Sequence, residues 1–192
     1  MALTIEVQAQ FDRWVEDLAV KHRERAAFRA LMAAGMAATP AVRRGLLHRE
    51  PVVRARCCDV LDHFMDADAL PELMANLNHA DERVRGRALH ALACDKCKEG
   101  ACRPGEEDVL PIAIRMLRED GSRFVRSQAA GLVGPAVHRS AEACQALERA
   151  RDGDPDPLVR KIAGWYAPGG SIYRRVRPKP PHRGQRVPRA PR

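Results

Sequence analysis

The chain has 192 residues and a mass of 21.3 kDa, room for one domain of ordinary size plus an appendage and too little for two independent enzyme domains. Hydrophobic residues make up 45% and charged residues 30%, which supports a sizeable core and excludes global disorder; aromatics at 4% favour close helix packing through Ala, Leu and Val over a β-sandwich. The net charge of +8 is local, since eight of the 33 bases fall in the acid-free residues 170–192 and the other 25 balance the 25 acids of the body.

The opening segment, MALTIEVQAQ, has neither a basic stretch nor an apolar run ahead of a cleavage site. No signal peptide is expected, and the expected compartment is the cytoplasm. The six cysteines then read as reduced thiols or metal ligands rather than a disulfide framework. Residues 3–35 predict a helix pair whose apolar face is Ile5, Phe11, Trp14, Val15 and Leu18, then Ala26, Phe28, Leu31 and Met32. Phe11 and Trp14 are expected to seal one end of the core. The longest uncharged run, Ala30–Val42, is thirteen residues broken by Gly35 and Pro40, too short to span a bilayer. No membrane partner is expected.

From residue 39 the chain repeats itself. Four phrases carry Val-Arg and a small residue three positions later: Arg54 with Cys57, Arg85 with Ala88, Arg126 with Ala129, Arg160 with Ala163. Apolar residues follow at helical spacing, as in Val53, Cys57, Val60, Leu61 and Phe64. A second apolar helix is predicted before each phrase, at Val42–Leu47, Leu70–Leu77, Val109–Leu117 and about Ala141–Ala150. A helix pair cannot bury its apolar face alone, so neighbours must stack. The fold expected is all-α: an α-solenoid of about five stacked antiparallel helix pairs over residues 1–168, with capping helices at 1–38 and repeats at 39–168.

The phrase Asp154-Pro155-Asp156-Pro157-Leu158-Val159-Arg160-Lys161-Ile162-Ala163 resembles the opening of the second helix in HEAT repeats, of the short bacterial, armadillo-type kind. The resemblance covers about residues 39–167. It implies a ladder between neighbouring repeats built from Arg54, Arg85, Arg126 and Arg160 with an acid six residues before the arginine. That acid is present as Asp120 and Asp154. His48 and His79 occupy the position in the first two copies, where the acids four residues before the arginine, Glu50 and Asp81, are expected to serve instead.

The interval from Arg85 to Arg126 exceeds its neighbours by about seven residues, and the excess falls in a cysteine-rich loop, 94–105. Cys94 and Cys97 form a Cys-x2-Cys bite, Cys102 adds a third thiol, and His90 lies one helical turn before Cys94. Four such donors would suit a structural zinc. A thiol-sensing loop and an exposed loop with unused thiols stay open beside that reading. Cys57, Cys58 and Cys144 lie on helix faces and read as small hydrophobes. Residues 169–192 hold five prolines and are expected to be a disordered basic tail, in which Arg174, Arg175, Arg177, Lys179, Arg183 and Arg186 could contact nucleic acid or an acidic protein.

No phosphate-binding glycine loop, His-Glu-x-x-His or Gly-x-Ser-x-Gly occurs. The acids Glu106, Glu107 and Asp108 suit the positive end of a helix better than general-acid work. The expected function is a non-enzymatic interaction scaffold that binds a protein partner through a curved face rich in Arg43, Arg44, Arg54, Arg56, Arg85 and Arg87. The resemblance also implies two alternatives: a nucleic-acid groove like that of HEAT-like DNA glycosylases for alkylated bases, and a bilin-lyase-like protein.

Overall fold

The structure is a computed structural model and describes residues 4–93 and 105–176. Among these residues there are eleven α-helices and no strand. They form five pairs: α1 (Ile5–Asp17) with α2 (Glu24–Ala34), α3 (Thr39–Gly45) with α4 (Pro51–His63), α5 (Leu70–Asn76) with α6 (Glu82–Ala93), α7 (Glu106–Glu119) with α8 (Arg123–Val133), and α9 (Ala141–Gly153) with α10 (Pro157–Tyr166). A short α11 (Ser171–Arg175) follows. The second helices pack in series, α4 on α6, α6 on α8 and α8 on α10, which is the stack that the repetition predicts.

Local chemistry sets the helix starts. Pro51 and Pro157 occupy the first position of α4 and α10, where a missing amide hydrogen costs nothing. Thr4, Ser122, Ser140 and Asp156 cap α1, α8, α9 and α10 by accepting a first-turn amide. Val53, Val84, Val125 and Val159 are fully buried, and so are the small residues one turn on, Cys57, Ala88, Ala129 and Ala163. Each valine contributes about 1.5–3 kcal/mol through burial. The small residues let neighbouring helices approach, and a larger side chain there would overpack the joint.

Phe11 is buried at the first pair with Trp14 partly covered beside it, ring centroids 5.6 Å apart. The expectation of disorder from residue 169 needs correction, because Ser171–Arg175 are helical. Tyr173 packs on the core, its ring 4.3 Å from that of His138, and its carbonyl lies 2.8 Å from His138 Nε2. Residues 177–192 lie outside the described residues. No described helix is long and apolar enough to cross a membrane.

Candidate functional site

The four marker arginines each close their own repeat. Arg54 donates to the carbonyl of His48 (2.6 Å), Arg85 to that of His79 (2.9 Å), Arg126 to that of Asp120 (2.9 Å) and Arg160 to that of Asp154 (2.6 Å), always the residue six before. The side chain of that same residue accepts the amide two positions on. His48 and His79 use Nδ1, Asp120 and Asp154 use Oδ1, at 2.8–3.0 Å. Histidine therefore supports the turn as aspartate does, but only the carboxylate also receives the marker arginine of the preceding repeat.

Arg85 forks onto both oxygens of Asp120, at 2.8 Å each, and Arg126 onto both oxygens of Asp154, at 2.8 and 3.0 Å. Burial alone would raise the Asp120 carboxyl, but hydrogen bonds from Arg85 and the Ser122 amide, with the charges of Arg85 and Arg126, hold it below the usual range. Arg54 faces His79 at the equivalent place and turns instead to Asn76 Oδ1, 3.0 Å away. Asn76 is buried and its amide donates to the carbonyls of Leu46 and Glu72. Glu50 and Asp81, the acids expected to replace the missing rungs, pair locally with Arg49 (3.6 Å) and Arg83 (3.0 Å). That expectation is corrected: a buried amide outside the repeat phrase does the work.

The arginines expected to line a partner-binding face are occupied within the chain. Arg43 pairs with Glu72 (2.9 Å), Arg44 with Asp12 (2.5 Å), Arg56 with Glu24 (2.6 Å) and Asp59 (3.2 Å), and Arg87 with Asp59 (3.3 Å). Asp59 is sunk deeply enough that burial pushes its carboxyl up despite Arg87 and Arg56. These charges tie repeats together.

What the stack leaves open is an apolar cleft of about 590 Å³ in the C-terminal half. Its walls come from the end of α6 (Ala93), the start of α7 (Val109, Leu110), α8 (Leu132) and α10 (Ile162, Trp165). Two glycines shape it in opposite ways. At Gly134 a methyl group would sit on the ring of Tyr166, so glycine is required for that aromatic to close one side. At Gly131, in the last turn of α8, a Cβ would meet nothing within 4 Å. Glycine within a helix costs about 0.5–1 kcal/mol relative to alanine, and among the described residues no contact calls for it here. At the rim, Arg139 forks onto Glu106 (2.8 and 3.1 Å), and His90 Nε2 lies 3.5 Å from the buried Asp62 carboxylate.

His90 is the one proposed zinc ligand that the structure describes, and it faces Asp62 and the cleft. Cys94, Cys97 and Cys102 lie outside the described residues, and among the described residues no group of three His, Cys, Asp or Glu side chains is placed to hold a metal. Cys57 and Cys58 are fully buried and Cys144 partly so, and burial pushes all three thiols up. Of the tail bases, Arg174 and Arg175 are exposed on α11; Arg177, Lys179, Arg183 and Arg186 lie outside the described residues. Sequence reasoning missed the cleft, because neither an empty space beside a glycine nor the helices that border it can be read from spacing.

A family model described as HEAT repeats matches residues 13–93. The match begins inside α1 and ends with α6. No curated protein matches the chain.

Proposed function

Because this chain is a HEAT-repeat protein, a class of repeat that generally mediates protein interactions, we propose that it is a non-enzymatic adaptor whose C-terminal cleft receives apolar side chains of a partner protein. The observation that carries this reading is Gly131: a helix-weakening residue on an apolar wall, with open space where its side chain would be. A glycine kept clear in this way suits close approach by another molecule. The mostly apolar lining suits hydrophobic anchors from a helix or loop. The arginines do not compete for this role, since their carboxylate partners lie within the chain.

The test is retention of proteins from the native cell on immobilised full chain, wild type against Gly131→Leu. Leucine at 131 has room for its Cβ and projects from the cleft wall into the space that a partner would occupy. Specific loss of a retained protein on the variant is the expected result. Retention of the same proteins at the same level by both would overturn the reading.

A further inference from the structure

The ladder defines what its last member lacks. Arg160 is braced like Arg85: its Nη1 donates to two carbonyls of its own turn, Asp154 (2.6 Å) and Pro155 (3.0 Å), as Arg85 Nη1 donates to His79 and Ala80 (2.9 Å each). In Arg85 and Arg126 the remaining edge, Nε with Nη2, holds the aspartate of the next repeat. Among the described residues no helix pair follows α10, and nothing accepts from the Nε or Nη2 of Arg160. The guanidinium is thus fixed in orientation by its own turn with a carboxylate-binding edge unfilled.

The surroundings specify what would fill it. The next residue on α10, Lys161, is exposed, and α11, which packs on α10, exposes Arg174 and Arg175. Acids close in sequence are committed elsewhere, Asp154 to Arg126, Asp156 to Arg123 and Asp152 to Arg151. The sequence after α11 adds six bases and no acid. A second copy stacked head to tail does not fit. Aligning the buried Ala27 and Leu31 of α2 with Val53 and Cys57 of α4 puts His22 at the rung position, flanked by Lys21 and Arg23. A basic end would face a basic end.

We infer that the Arg160 face of the last described repeat docks an acidic segment of a partner protein, with an Asp or Glu carboxylate seated on the Nε–Nη2 edge of Arg160 and further acids answering Lys161 and the bases of α11. This rests on the adaptor reading and adds the partner's chemistry and a second point of contact. A nucleic acid would engage the cations but gives no reason for a fork braced in the geometry that Arg85 and Arg126 use to hold a carboxylate.

The test selects random twelve-residue peptides displayed on phage against the full chain, then measures the winning peptides and a labelled single-stranded DNA by fluorescence anisotropy. The variants are Arg160→Lys, which keeps the charge and loses the fork, and Lys161→Glu, a surface change that spares the fold. The expected consensus is rich in Asp or Glu, and its binding weakens by about tenfold or more in both variants. Absence of any enriched peptide, an acid-free consensus, or acidic peptides unaffected by Arg160→Lys would overturn the inference. So would DNA binding that falls in parallel with peptide binding. Peptides lost with Gly131→Leu but not with Arg160→Lys would sink the rung and leave the cleft standing.

Discussion

Asp120 receives both the Nε and Nη2 hydrogens of Arg85, 2.8 Å each, across the joint between the third and fourth helix pairs. Both side chains are more than four-fifths covered, so solvent screens the pair little. Replacing Asp120 by Asn should cost on the order of 3 kcal/mol at neutral pH, because a covered guanidinium loses its counter-charge. The folded carboxyl titrates below its unfolded value. The stabilisation is therefore complete at neutral pH and disappears as pH falls from the unfolded pKa through the lowered folded one. Urea titrations of both proteins should converge on that acid limb. A gap that persists at the lowest pH would point to packing instead of charge.

Asn76 carries the joint that lacks an acid. Its amide and carbonyl serve Arg54, Leu46 and Glu72 from a fully buried position. Asn76→Ala should destabilise by about 2–3 kcal/mol, since the buried Leu46 and Glu72 carbonyls lose their donor and Arg54 its acceptor. Chemical denaturation reads it; a loss well under about 1 kcal/mol would remove Asn76 from the account.

The two cleft glycines should respond with opposite signs. Gly131→Ala should raise stability by about 0.5–1 kcal/mol, since the methyl enters open space and the helix gains propensity. Gly134→Ala should lower it by about 1–3 kcal/mol, because the methyl meets the Tyr166 ring. Thermal unfolding decides, and a fall for Gly131→Ala would mean that α8 needs its glycine for folding.

Cys57 and Cys58 should resist alkylation in the native protein. Burial first, then the Asp59 carboxylate, disfavours the Cys57 thiolate, and burial likewise dominates at Cys58. Mass-spectrometric mapping after iodoacetamide treatment should find both unmodified until denaturant is added, with Cys144, partly exposed, labelled earlier. Fast native labelling of Cys57 would show that α4 opens readily.

Much of this architecture was legible in the sequence because burial imposes periodicity. The Val-Arg phrases gave α4, α6, α8 and α10 nearly to the residue, and the resemblance to HEAT repeats implied Asp120 and Asp154 as rungs. Asn76 was not legible, since it sits at the end of a short α5, out of phase with the phrase, and is defined only by what it touches. The arginine pairings did leave a signal. Asp12 and Arg44, Glu16 and His48, and Glu24 and Arg56 are each 32 residues apart, close to the first repeat interval. Complementary polar partners at that spacing place each pair on adjacent layers. The helix at Ser171–Arg175 was hidden by the prolines after it, although Ile172 and Tyr173 were there to anchor it.

Because every marker arginine is oriented by carbonyls of its own turn, its aim is set before the neighbouring layer arrives. The protein is in this sense extensible. A further helix pair spliced after residue 168, carrying an aspartate six residues ahead of its own Val-Arg, would find its mooring already prepared and should lengthen the rod by one storey without redesign of the floors below.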